Sequence, residues 1–126
     1  MKIPHTLTKP LCFALGAAAL LCPLQAAEKE LKSVAVTVGD LGNPFFVQIA
    51  HGAEAKAKEI NPKVKFGSLS SNYDVNKQTN DVDNLISSGT TLLLLNAADS
   101  KGIAPAVKRA KGAGMVVIAV DVGAEG

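Results

Sequence analysis

Residues 90–96 read TTLLLLN, and four consecutive leucines in so short a run decide much of what this chain can fold into. A strand with one wet face alternates polar and apolar side chains. Beyond its two threonines this one does not, so it reads as a strand buried on both sides. MVVIAV, residues 115–120, is a second such run. Between and before them lie segments whose apolar residues recur at three- and four-residue spacing, the period of a helix. Continuous apolar strands separated by helices imply an α/β fold: a parallel sheet with helices on both faces. Right-handed crossovers then fix the face on which each helix lies.

Two further strands complete the pattern. SVAVTV, residues 33–38, alternates and is rich in β-branched side chains, and residues 64–69 form the next. The first helix runs from Phe45 with Phe46, Ile49, Ala50, Ala53, Ala57 and Ile60 on one face, and Asn61-Pro62 stops it. The second turns Val75, Val82, Leu85 and Ile86 inward and ends at Gly89. The third, residues 103–113, turns Ile103, Val107 and Ala110 inward and ends at Gly114. Pro105 is tolerated there only in the first turn, where a missing N–H has no partner to lose. No internal repeat, linker or low-complexity tract breaks the series. The chain stops at DVGAEG directly after the fourth strand, with no helix to cover it. We therefore expect residues 28–126 to be one incomplete lobe with apolar surface left open.

Upstream of the first strand the composition changes. Lys2 and Lys9 flank the start, residues 11–22 (LCFALGAAALLC) are apolar, and small Ala26 and Ala27 precede the first acidic residue. The apolar run is short of the roughly 20 residues that a membrane-crossing helix needs. Basic start, short apolar centre and small-residue end describe a secretory signal peptide, residues 1–27, cleaved after Ala26 or Ala27. Cys22 lacks the small preceding residues of a lipid-modified cysteine. Both cysteines, Cys12 and Cys22, leave with the leader, so the exported chain forms no disulfide and no thiolate metal site. Lys2 and Lys9 leave as well, so that eleven of the 13 basic residues remain against 11 acidic ones. The formal charge of +2 thus belongs to the leader. A balanced surface has no basic stripe for nucleic acid or anionic lipid, and the exported chain carries no membrane span.

In such sheets ligands bind beyond the carboxyl ends of the strands, where strand order reverses. Asp40, Asn43, Phe45 and Phe46 follow the first strand, Asn96 and Asp99 the third, and Asp121 the fourth. Aromatic residues are scarce: 4 Phe, 1 Tyr and no Trp. With Phe13 in the leader, Phe45 and Phe46 are half of those left. Amides and carboxylates offer directional hydrogen bonds, and phenyl rings offer flat apolar faces. A sugar needs both, for its hydroxyls and for its C–H faces, and small-molecule pockets in general combine the two. Asn43, Phe45, Phe46, Asn96 and Asp121 are therefore candidate ligand-binding residues, with Asp40 and Asp99 weaker candidates. Each also has a purely structural reading. Asn43-Pro44 suits an N-cap with proline at the first helical position. Phe46 lies on the inner stripe of its helix, whereas Phe45 is turned about 100° from it. Asn96 and Asp99 suit capping of the third helix with Ser100, and Asp121 suits a turn.

Other chemistries find little to work with. Gly39 and Gly42 do not have the G-x-G-x-x-G spacing of a dinucleotide loop, and no P-loop lysine motif occurs. His5 falls in the leader, and His51 has no Cys, Asp or second His near it on its helix. Asp81 and Asp83 lie on different helix faces, as solvated charge. No nucleophile stands with a base, so we expect no enzyme, no cofactor and no metal.

DLGNPFFVQIAHGAEAKAKE (residues 40–59) and NYDVNKQTNDVDNLISSGTTLLLLNAADSKGIAPAVKRAKGAGMVVIAVD (residues 72–121) resemble the N-terminal half of the ribose-type periplasmic sugar-binding proteins, the soluble receptors of bacterial ABC importers. The resemblance runs from residue 33 to 126. It implies two similar α/β lobes closing over a sugar, of which this sequence holds the first. It also implies that Asn43, Phe45 and Phe46 line the cleft, that Asn96 contacts the sugar and that Asp121 accepts hydrogen bonds from its hydroxyls. A periplasmic location follows, with a monosaccharide or polyol as ligand, an ABC permease or a chemoreceptor as partner, and a monomer when complete. The ribose receptors carry an arginine directly after that aspartate. Val122 stands here, which points to another pentose, a hexose or a polyol. The sensing cores of sugar-responsive transcription repressors share the fold, but begin with a DNA-reading helix-turn-helix instead of a signal peptide. A sensor feeding a chemoreceptor or membrane kinase fits the same binding chemistry.

Overall fold

Strands and helices alternate strictly in the computed structural model, which describes residues 30–125. They are β1 (Ser33–Val38), α1 (Pro44–Ile60), β2 (Lys65–Ser70), α2 (Val75–Ser87), β3 (Leu92–Leu95), α3 (Ala104–Gly112) and β4 (Val116–Ala119). The expected signal peptide, with His5, Cys12, Phe13 and Cys22, lies outside the described residues. The strands form one parallel sheet in the order β2-β1-β3-β4. The chain steps from β1 to β2 on one side, then crosses to β3 on the other. Strand order therefore reverses at β1, the kind of position beyond which open α/β sheets bind ligands.

Alternation along the strands divides the core between two faces. Ala35, Leu93 and Leu95 meet Val82 of α2 and Ala106, Val107 and Ala110 of α3, with Ile103 just before α3. Val34, Val36 and Val38 face the other way, against Phe46 and Ala57 of α1. Central β1 is buried from Val34 to Val38. In β3, expected to be buried on both sides, Leu93 and Leu95 are buried but Leu92 and Leu94 only partly so. The reason is reach: α1 packs chiefly on β1 and β2, and Leu92 and Leu94 lie at the margin of its clusters. On that same face Val116 and Ile118 of β4 are exposed. On the opposite face an open trough of about 610 Å³ runs between α3 and β4, lined by Pro105, Val107, Val117 and Ala119.

Local signals set the helix ends. Pro44 and Pro105 each sit in a first turn, and Gly89 and Gly114, just beyond α2 and α3, adopt left-handed φ of 72° and 86°. Ile60, expected inward, is exposed, because α1 ends there. Asn61 turns the chain and donates from Nδ2 to the Leu31 carbonyl at 2.9 Å, and Val64 takes the core position beside Ala57. Asp83 accepts from Nε and Nη2 of Arg109 at 3.0 and 2.9 Å, which clamps α2 to α3 and raises the guanidinium pKa. Among the described residues no helix is long and apolar enough to cross a membrane.

Candidate functional site

Three strand exits meet at the carboxyl edge of the sheet. The ladder carries the loops into register there: the Asn96 amide donates to the Thr37 carbonyl at 2.9 Å, and the Val120 amide to that of Leu95 at 2.8 Å. Asn96 is 4% exposed, and its Nδ2 donates to Asp121 Oδ2 at 2.9 Å and to the Val120 carbonyl at 3.3 Å. Asp121 is the apex of a three-residue turn closed by the Val122 amide on the Val120 carbonyl at 2.8 Å. Its φ of 65° marks this as the rarer, strained form of the γ-turn. Such a conformation costs on the order of 1–3 kcal/mol and persists where its surroundings over-determine it. Here Asn96 grips the side chain, while the Ala97 amide donates to the Val122 carbonyl at 2.9 Å. The carboxylate itself is exposed, and among the described residues only Asn96 hydrogen-bonds to it.

The exit of β1 is built differently. Asp40 Oδ1 accepts from the Gly42 amide at 2.7 Å, and the Asp40 carbonyl accepts from the Asn43 amide at 3.1 Å, which folds the loop into a tight turn. Asn43 caps α1, its Oδ1 accepting from the Phe45 amide at 3.0 Å. Its Nδ2 is what it can offer elsewhere. Phe45 is 55% exposed, whereas Phe46 is 6% exposed and packs among Val36 and Val38. The two rings meet edge to face, centroids 5.3 Å apart at 64°, so the buried ring buttresses the open one. Asp99 Oδ1 accepts from the Gly102 amide at 2.5 Å and shapes the turn into α3. No side chain caps α3 itself. Asn96, Asp121, Asn43 and Phe45 thus stand on neighbouring exits, Phe46 lies beneath, and Asp40 and Asp99 hold turns.

Two residues at this edge escaped the sequence reading. Gln78 of α2 is fully buried, and its Nε2 donates to Thr37 Oγ1 at 3.1 Å and to the Asn96 carbonyl at 2.8 Å. Its Oε1 accepts from the Ala98 amide at 2.9 Å. It ties α2 to β1 and to the loop that carries Asn96. The signal was present: position 78 falls between Val75 and Val82 on the inner stripe, so a polar residue there needed partners. Tyr73, beyond the carboxyl end of β2, is 61% exposed.

The arrangement offers hydrogen-bond acceptors and donors beside an apolar ring, with no cation in the set, and so suits a neutral hydroxylated molecule. Among the described residues no group of three or more metal-ligating side chains comes together. A family profile described as periplasmic binding protein domain matches residues 34–126. The chain is 37% identical to the ribose import binding protein of Bacillus subtilis (strain 168), over 82% of this chain and 33% of that protein. It superimposes on an ABC transporter solute binding protein from Mycobacterium smegmatis with bound glycerol at a TM-score of 0.68 and 30% identity, covering 77% of this chain and 33% of the other. For the Caulobacter myo-inositol binding protein bound to myo-inositol the TM-score is 0.68 at 28% identity, covering 79% and 33%. The chain spans about a third of the length of these relatives. With a parallel α/β lobe whose strand order reverses at β1 and a profile match across nearly all of the described residues, this chain belongs to the periplasmic binding protein domain family.

Proposed function

We propose that this chain is the first lobe of a periplasmic receptor that captures a neutral monosaccharide or polyol and hands it to an ABC permease, without catalysis. The observation that carries the reading is the Asn96–Asp121 pair at adjacent strand exits. A carboxamide holding one carboxylate oxygen fixes the plane of Asp121, so the exposed edge is ready to accept from hydroxyls of a ligand. Such charge-assisted hydrogen bonds are stronger than neutral ones. Asn43 on α1 adds an amide, and exposed Phe45 adds a plate for C–H faces. The relatives named above are a ribose import binding protein and two proteins with bound glycerol and bound myo-inositol, all neutral and polyhydroxylated molecules, which supports the class of ligand. Val122 has no guanidinium to fork onto a hydroxyl pair, and favours a polyol or a sugar other than ribose. A ligand that bridges this lobe and a second one would favour the closed receptor by its higher affinity for that state.

The test is a nuclear magnetic resonance titration of the chain with myo-inositol, glycerol and D-ribose. Shifts at the Asn96 side-chain amide and the Asp121 backbone amide are expected to saturate together with at least one of the three. Asp121→Asn keeps a residue that tolerates left-handed φ but loses the charge. It should weaken binding about tenfold or more, in line with a charge-assisted hydrogen bond. Silence at both residues with every ligand would sink the reading.

A further inference from the structure

All three non-glycine residues with positive φ among the described residues lie beyond the carboxyl ends of strands: Asp121 after β4, and Asn72 and Tyr73 after β2, at 52° and 57°. Asparagine accepts that conformation readily. A tyrosine does so only when its neighbours impose it. The imposing contacts are present. Ser71 is fully buried, its amide and Oγ both donate to the Val38 carbonyl at 2.8 and 3.0 Å, and its own Oγ accepts from the Tyr73 amide at 3.3 Å. Ser70 Oγ lies 3.3 Å from the Gly39 carbonyl and 2.7 Å from Asn72 Oδ1. The Asp74 amide closes the turn on the Ser71 carbonyl at 3.0 Å, and Asp74 then caps α2. The turn after β2 is thus riveted to the end of β1.

The outcome of this strain is the location of one ring. Tyr73 lies over Gly39, the first residue beyond β1, so closely that a Cβ at position 39 would collide with Cε1 and Cζ of the ring. Glycine there leaves room for the tyrosine. Yet the residue remains 61% exposed, so burial does not account for its being held. Phe45, the other exposed aromatic residue among those described, belongs to the same β1 exit. Backbone strain that orders a residue without burying it is the signature of a functional site.

From this we infer that Tyr73 is a specificity-determining ligand contact: a second aromatic plate, with a phenolic hydroxyl, at the β1–β2 end of the carboxyl edge. The inference rests on the reading of this edge as a sugar or polyol site. A ring plate has most to offer a cyclic polyol, whose axial C–H groups present a flat apolar face, and least to offer a short flexible one. The Tyr73 hydroxyl adds a donor and an acceptor that Phe45 lacks.

The test exploits the composition: Tyr73 is the chain's single tyrosine and there is no tryptophan, so near-ultraviolet emission reports this ring. The full chain is titrated with myo-inositol and with glycerol, following tyrosine emission and the Asn96 and Asp121 resonances in parallel. Tyrosine emission is expected to change with the same midpoint as those resonances. Tyr73→Asn, which keeps a residue suited to left-handed φ, should weaken myo-inositol binding by about three- to tenfold, as loss of a ring contact would, and glycerol binding by less than about twofold. Tyr73→Phe should restore part of the loss. If Asn96 and Asp121 respond while tyrosine emission stays flat and Tyr73→Asn binds both polyols as well as the parent, the inference is wrong and the site reading stands. If Asn96 and Asp121 respond to neither polyol nor to D-ribose, both fall together.

Discussion

Gln78 uses each of its polar atoms inside the protein, and the consequence of replacing it can be argued residue by residue. Leucine at 78 would leave the Asn96 carbonyl and the Ala98 amide without the partners they have now, and would take a donor from Thr37 Oγ1. A buried polar group left unpaired costs about 1–3 kcal/mol. Gln78→Leu should therefore destabilise the chain by about 2–4 kcal/mol, read as a fall in the urea midpoint at unchanged slope. Gln78→Glu keeps the acceptor for Ala98 but loses both donors and sets a carboxylate against the Asn96 carbonyl. It should do no better at neutral pH. A loss below about 0.5 kcal/mol for both variants would mean that water replaces the amide, and that the loop is not held as described. The other chemistry-bearing residues were legible singly. Asn96 and Asp121 stand out as polar residues that end apolar runs. Their mutual hydrogen bond was not legible, because it depends on a γ-turn that no sequence motif announces.

At the scale of the element, Asn43 has a capping job and a proposed ligand contact, which substitution can separate. As N-cap of α1 its Oδ1 accepts from the Phe45 amide, and loss of such a cap costs about 1 kcal/mol. Serine caps as well as asparagine but has no amide. Asn43→Ser should thus leave the thermal midpoint nearly unchanged and weaken ligand binding severalfold, whereas Asn43→Ala should lose both. Equal binding by Asn43→Ser and the parent would reduce Asn43 to a cap. Element boundaries were legible to within a residue or two because caps, prolines and terminal glycines act locally: β1 was expected at residues 33–38 and is found there, whereas β3, expected from residue 90, begins at Leu92. The partial exposure of Leu92 and Leu94 was not legible. It depends on how far α1 reaches across the sheet, which no local pattern encodes. The exposure of Ile60 follows from a helix that ends one residue before the next inward position would fall.

For the whole molecule, the parallel sheet with helices on both faces was legible from the alternation of buried strands and helices, since few topologies satisfy right-handed crossovers. What this lobe presents at β4 then bears on its behaviour in solution. Val116 and Ile118 are exposed on one face of an edge strand, and a trough that Lys101, Lys108 and Lys111 help to line flanks α3 on the other. Exposed apolar edges pair with other chains. The chain should self-associate at high concentration, and Ile118→Lys should shift it toward monomer in sedimentation velocity. An Ile118→Lys chain that associates as strongly as the parent would place the contact elsewhere. The same openness bounds affinity. Micromolar binding by a two-lobed receptor corresponds to about −8 kcal/mol, and half of that leaves about millimolar binding. Hydrogen bonds that ligand hydroxyls make with Asp121 and Asn96 on an open rim compete with water, so they fall toward the weak end of their range. Calorimetry on this chain with its best polyol should give a Kd no tighter than about 1 mM. A micromolar value would mean that this lobe encloses its ligand unaided, with Phe45 and Tyr73 forming walls that no second lobe need supply.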